Sequence, residues 1–262
     1  MSKGKFYFSK SLEKGLKILS LFDRATPSLT QSEIAKTLEL NMTSTYRYIN
    51  TLVELGYLEK DPKTKTIRPS LHSLLFCTNL MRATDHLRLI KGTVDRIHAE
   101  HNISIEVAFM VEDTIVRIYQ KEAAETLTYS LPDSSRNSLH NTALGKAYLS
   151  SLPDDQLREK VRAMVLTAKT EQTIQDKKTL IADLKKARAR GYAMAMEEFL
   201  PGLIAIGAPL VDPNSGKGVG AVSFDFSIIQ KTAEDIRERY ANMVMETAET
   251  LSKLLPPDRR SH

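Results

Sequence analysis

The stretch LTQSEIAKTLELNMTSTYRYINTLVELGYLEKDPKTKTIR, Leu29 to Arg68, leaves the N-terminal part of this chain little choice of fold. Thr30 is a helix N-cap, and Glu33 sits three residues on, where its carboxylate reaches back to the Thr30 N–H as a capping box. Ile34, Ala35 and Leu38 then share one face of a first helix. Leu40 and Asn41 make a tight turn, and Asn41 caps a second helix over residues 42–55. In that helix Thr45, Ile49, Leu52 and Val53 point inward. Thr43, Ser44, Tyr46, Arg47 and Asn50 are left facing out. Gly56 ends the helix. Residues 57–60 and 66–68 read as short strands, with Lys63 and Lys65 in the turn between them. Helix, turn, helix and basic hairpin make a winged helix-turn-helix. Its outer face suits double-stranded DNA: Arg47 and Ser44 for base edges, Thr43, Tyr46, Asn50, Lys63 and Lys65 for phosphates. The plain alternative is a helical hairpin with a solvated charged face. The capping box, the hydroxyl-rich second helix and the wing together favour DNA.

Charge placement agrees. The chain of 262 residues has a net charge of +5. Residues 1–78 hold 12 Lys/Arg against 7 Asp/Glu, and the remainder holds 25 of each, so the whole excess lies in the segment expected to meet phosphates. A hydrophobic content of 42% is enough for a real core. Cys77 is the one cysteine, so no intrachain disulfide can form, which fits a reducing compartment. It is read as a small apolar filler on its helix. No signal peptide or membrane-spanning run is visible. The expected location is the cytoplasm, with no membrane partner.

Residues 1–8 form a basic arm. Ser9 or Ser11 caps a helix reaching Phe22, with Leu12, Leu16, Leu19 and Phe22 on its apolar face. Pro69 interrupts the chain, and residues 70–84 read as a helix crowded with Leu71, Leu74, Leu75, Phe76 and Leu80. That helix is read as a linker that pairs with a second copy, packing within its own domain being the alternative. Asp85 caps a helix over residues 86–101 carrying Leu87, Ile90, Val94 and Ile97. The period then changes. Residues 105–111 and 114–120 read as paired strands, with 126–131 as a third. A helix starts near Thr142, and others cover 154–163 and 176–190. Strands follow from Gly191, over 203–211 and over 218–226. A long helix over 229–255, with the stripe Ile236, Tyr240, Met243, Thr247, Leu251 and Leu254, closes the chain. Residues 79–262 thus form an α+β domain with a largely antiparallel sheet flanked by helices.

The ordered blocks resemble the IclR family of bacterial transcription regulators over nearly the whole chain. They are Ser11-Leu12-Glu13-Lys14-Gly15-Leu16-Lys17-Ile18-Leu19; Thr43-Ser44-Thr45-Tyr46-Arg47 with Leu55-Gly56-Tyr57-Leu58; and His140-Asn141-Thr142-Ala143-Leu144-Gly145-Lys146-Ala147. Arg190-Gly191-Tyr192-Ala193, Glu197-Glu198-Phe199, Pro201-Gly202-Leu203 and Ala208-Pro209-Leu210 complete the set. The resemblance implies a winged helix-turn-helix (residues 1–69), a linker and dimerisation helix (70–84) and a GAF-like α/β-sandwich effector domain (85–262). It implies a homodimer or homotetramer, a small organic-acid effector, no enzyme activity and no cofactor. Carried over by position, the effector pocket involves Ala143, Leu144, Met196 (or Ala195), Ala205, Ser223 and Asp225. Met196 and Ala205 stand where some relatives place Asp and Cys, so a larger, more apolar pocket is expected, with an aromatic or bulkier carboxylate as ligand. Ser223 and the N–H groups at Ala143 and Leu144 would hold that carboxylate. Asp225 fits a hydroxyl or amine instead.

Other signals weigh less. His98 and His101 lack further ligands at metal-binding spacing, so a helix surface is the better reading. His140 has no nucleophile beside it and is read as a cap or loop pin. Residues 216–220 lack P-loop spacing and read as a hairpin turn. Glu197 and Glu198, taken as strand neighbours, would face opposite sides. Two rival functions stay open: an enzyme with a DNA-binding appendage, and a ligand-free adaptor.

Overall fold

The computed structural model describes residues 7–23, 26–83, 85–111, 114–124, 134–135 and 138–255. The chain forms two compact units, Met1–Thr84 and Asp85–His262. Residues 1–6 of the basic arm and the expected strand over 126–131 lie outside the described residues.

The first unit contains α1 (Lys10–Leu19), α2 (Gln31–Thr37), α3 (Met42–Glu54), β1 (Leu58–Lys60), β2 (Ile67–Pro69) and α4 (Leu71–Arg82). Side chains stop and start the helices. The Ser9 hydroxyl accepts from the Leu12 N–H and caps α1. Thr30 and Glu33 close the capping box of α2 in both directions. Asn41 accepts from the Ser44 N–H and starts α3. Gly56, at φ 79°, turns the chain from α3 into the wing, a conformation that a side chain would strain. β1 and β2 pair antiparallel with Glu59 opposite Arg68, and those two side chains ion-pair at 2.6 Å.

Ile18, Ile34, Ile49, Leu52, Leu58 and Ile67 form the core of this unit. The expected apolar face of α1 needs correction. Ile18 is the buried residue, Leu19 and Phe22 pack partly against it, and Leu12 and Leu16 are exposed. The α-helix also ends at Leu19, short of Phe22. In α4 the Ser70 hydroxyl donates to the Gly56 carbonyl and accepts from the Ser73 N–H, and the Tyr57 ring meets His72 and Phe76 edge-on. Past that anchor, Leu71, Leu74, Leu75, Phe76 and Leu80 are exposed. Cys77 is exposed too, so it fills no core.

The second unit contains α5 (Asp85–His101), β3 (Ser104–Val111), β4 (Thr114–Lys121), β5 (Ser134–Ser135), α6 (Ala143–Ser151), α7 (Asp154–Ala163), α8 (Lys177–Arg190), β6 (Ala193–Met196), β7 (Leu203–Val211), β8 (Gly218–Ser227) and α9 (Ala233–Lys253). The strands form one antiparallel sheet in the order β5-β4-β3-β8-β7-β6. Alternation along each strand sends side chains to two faces. Ile105, Val107, Ile204, Ile206, Val222 and Phe224 pack with α5 and α9. Ala108, Ala193 and Ala221 pack with α6, α7 and α8. The second face carries small residues, so α6 lies close to it: a Cβ on Gly207 would come within 2.9 Å of the Ala143 carbonyl oxygen.

The closing helix begins at Ala233, and Ile229 is exposed. Val244, Ala248 and Leu255 are buried there, whereas Met243 and Leu254 only pack at its margin. The αL residue Glu197 follows β6, so Glu197 and Glu198 lie beyond the strand and not along it. The turn after β7 is a hairpin closed by the Gly216 N–H on the Asp212 carbonyl. Among the described residues, no helix is long and apolar enough to cross a membrane.

Candidate functional site

The exposed face of α3 is the first candidate. Burying Thr45, Ile49 and Leu52 in the core turns Thr43, Tyr46 and Arg47 to solvent, with Ser44 and Asn50 half-buried. The Gln31 side chain donates to the Met42 carbonyl at 3.2 Å and ties α2 to the start of α3. Lys60 of β1 lies over the Tyr46 ring, 5.9 Å from its centre, so wing and helix meet at that residue. In the wing turn, the Asp61 carboxylate accepts from the Lys63 and Thr64 N–H groups, and these bonds hold its pKa below the usual value. Lys63 is exposed at the tip. The Lys65 ammonium donates to the Pro62 carbonyl at 2.7 Å, so a phosphate contact would have to displace or share that bond.

The second candidate is a narrow cleft at the N-terminus of α6. The Thr142 hydroxyl caps α6 by accepting from the Gly145 N–H at 3.1 Å. Ala143 and Leu144 are then first-turn residues whose N–H groups fall outside the intrahelical ladder. Cross-strand register builds the floor. Ala195 pairs with Ala205 and Ala205 with Asp225 in one row; Ser223 pairs with Glu106 in the next. Glu198, Phe199, Leu203 and Asn141 also line the cleft.

The cleft brings together five of the six expected effector residues: Ala143, Leu144, Ala205, Ser223 and Asp225. Met196 is not among its lining residues. It is 45% exposed, and Ala195 lines the cleft in its place, because successive residues of a strand face opposite sides. Ala195 and Ala205 do bring apolar surface. Phe199, Leu203, Leu144 and three alanines leave most of the exposed lining apolar, and Glu106, Glu198, Asp225, Ser223 and Asn141 set polar and acidic groups among them. A broader hollow lined by His101, Ser104, Gln230 and Tyr240 also touches Asp225.

Ion pairs hold the acidic groups in place. Lys146 is 1% exposed; its ammonium lies 2.7 Å from Glu198, 2.6 Å from Asp183 and 3.0 Å from the Met194 carbonyl. Burial raises the Glu198 pKa, and Lys146 opposes that rise. Arg117 pairs with Glu106 at 2.6 Å. Asp225 is pushed well above the usual carboxylate range, first by burial and then by the neighbouring Glu106, while the Ser223 hydroxyl donates to it at 3.1 Å. His140 is buried with Nε2 3.1 Å from the Thr167 carbonyl; it pins that loop, and burial lowers its pKa. His98 Nδ1 faces the Ile103 carbonyl at 2.9 Å, a contact at the helix end.

Sequence reading missed Asn141, Glu106 and Glu198 as cleft residues. Asn141 stood inside a block already singled out, next to Ala143. Glu106 gives no local signal, since only strand pairing sets it beside Ser223.

Both parts of the chain match known protein families. Residues 11–62 match the IclR helix-turn-helix domain, and residues 79–253 match the bacterial transcriptional regulator IclR C-terminal domain. The HTH-type transcriptional regulator BhcR of Paracoccus denitrificans is 27% identical over 248 residues, 95% of this chain and 88% of BhcR. An IclR transcriptional regulator from Alicyclobacillus acidocaldarius superposes with a TM-score of 0.80 at 20% identity, over 95% of this chain and 99% of that one. An IclR homologue from Microbacterium hydrocarbonoxydans, solved with 4-hydroxybenzoate, gives a TM-score of 0.73 at 18% identity, over 94% of this chain and 98% of that one.

Proposed function

We propose, from the premise that the chain belongs to the IclR family of bacterial transcriptional regulators, that α3 reads operator DNA and that the cleft at α6 takes a small organic acid which alters that reading. The chain is a transcriptional regulator with a helix-turn-helix DNA-binding domain. In this reading residues 1–69 bind DNA, 70–84 join two copies and 85–262 sense the acid. The exposed set on α3, backed by a wing with Lys63 at its tip, carries the DNA assignment. Arg47 and Ser44 meet base edges; Thr43, Tyr46, Asn50, Lys63 and Lys65 meet phosphates. Arg47→Ala is expected to cost about 1–3 kcal/mol of specific binding and to relax one base preference, measured on duplexes selected from a random library. Unchanged specificity would remove Arg47 as a reader.

The acid is an organic carboxylate, aromatic or aliphatic, held by Ser223 and the first-turn N–H groups of α6. The 4-hydroxybenzoate bound by the Microbacterium homologue supports an acid of that class. Its effect on DNA binding equals its differential affinity for the protein's two arrangements.

The exposed apolar residues of α4 support assembly of at least a homodimer. Leu71, which is 81% exposed, together with Leu74, Leu75 and Leu80 gives α4 an exposed apolar face. A second copy would cover it and set two recognition helices for two half-sites. Leu75→Glu is expected to shift the protein toward monomer in sedimentation and to weaken operator binding. A variant that stays dimeric would place the interface elsewhere.

A further inference from the structure

Asn141 is fully buried at the rim of the cleft, and neither its Oδ1 nor its Nδ2 has a hydrogen-bond partner among the described residues. A buried amide without partners costs about 1–3 kcal/mol, so such groups persist where a ligand uses them. Beside it stand the first-turn N–H groups of Ala143 and Leu144, donors for an anion. The rest of the lining differs in character. Glu106, Glu198 and Asp225 all line the cleft, and Lys146 is shared between Glu198 and Asp183. Of the three lining carboxylates, Glu106 pairs with Arg117 and Glu198 with Lys146, while Asp225 accepts from the Ser223 hydroxyl. A plain carboxylate would meet donors and acidic groups within the same cleft.

We propose that the effector is a compact carboxylate that also bears an ammonium group. This rests on the cleft being the effector site. The carboxylate lies on the Ala143 and Leu144 N–H groups and on Asn141 Nδ2. The ammonium points to Asp225 and Glu106.

The test uses the full chain and five probes: propionate, 3-aminopropionate, benzoate, 4-hydroxybenzoate and 4-(aminomethyl)benzoate. Within each skeleton the amine-bearing acid is expected to raise the melting temperature most and to bind at least about tenfold tighter in calorimetry, as hydrogen bonds to a charged group allow. Asn141→Leu removes no hydrogen bond made within the described residues. It is therefore expected to keep or raise the melting temperature of the free protein while losing at least about tenfold in affinity, and Asn141→Ala is expected to lose the same affinity. Plain acids binding as tightly as their amine partners, or affinity unchanged in both Asn141 variants, would overturn the proposal and leave the effector site standing. No response to any of the five would overturn the proposal together with the small-acid reading beneath it.

Discussion

Replacing Lys146 by methionine is expected to destabilise the second unit by about 3–5 kcal/mol, the cost of leaving a buried charge without its partner. Lys146 sits on α6, which is buried along its whole length, and its ammonium lies against Glu198, Asp183 and the Met194 carbonyl. Methionine keeps the volume and removes the charge. Asp183 is partly exposed and can turn to water, whereas Glu198 is buried and cannot. Burial already raises the Glu198 pKa above the usual 4.5, and Lys146 limits the rise. Without Lys146 the folded-state pKa climbs further. A carboxyl with a raised folded-state pKa favours folding below its unfolded value and loses that contribution as pH rises. The deficit of Lys146→Met is therefore small near pH 4.5 and grows as pH rises through the new Glu198 pKa. Urea unfolding of both proteins from pH 4.5 to 8 measures it. Adding Glu198→Leu should recover most of the loss, because an apolar pair of similar volume replaces an ion pair at little cost. A loss that does not vary with pH would show that packing, and not the Glu198 charge, sets it.

Gly145→Ala is expected to cost about 3 kcal/mol, the upper end for overpacking, since the atoms in the way are backbone. A Cβ there would lie 2.3 Å from the Leu139 Cα and 2.4 Å from its carbonyl oxygen. Neither can swing aside as a side-chain tip can. Relief requires α6 to move away from the segment before it, and Ala143 and Leu144 move with the helix. Stability and acid binding should therefore fall together. Gly92→Ala is the control. Gly92 lies within α5 with nothing inside 4 Å of the added atom, so a gain of about 0.4–1 kcal/mol is expected there. Thermal unfolding of the two variants side by side checks both signs. An equal, small effect at the two positions would mean that α6 is not clamped against residue 139.

Local chemistry was readable without coordinates. The Thr30–Glu33 capping box, the Asn41 cap and the outward set Thr43, Tyr46 and Arg47 depend on residues within a few positions of one another, and all lie as the sequence implies. The helix over Asp154–Ala163 and the strand over Leu203–Val211 have the bounds their patterns suggest. Choosing which side of an element is covered went less well. Leu12 and Leu16 are apolar and helical in spacing, yet Ile18 is the residue of α1 that the core reaches. Cys77 is small and apolar and still lies outside.

The cleft shows where the division falls. Its α6 wall could be read from His140 to Ala147, because a cap and a helix start are local events. Its acidic floor could not. Glu106 and Asp225 are far apart in sequence and share the cleft through the antiparallel pairing of β3 with β8. Met196 and Ala195 differ by one position, and the pleat alone puts Ala195 inside. Sequence by itself determined the family, the order of elements and the outward face of α3, since propensity, capping and periodicity act over a few residues. Tertiary structure alone decided the polarity of the cleft, the Lys146–Glu198 pair and the unpartnered Asn141, since those depend on strand register and on burial, which removes water from groups that distant segments bring together.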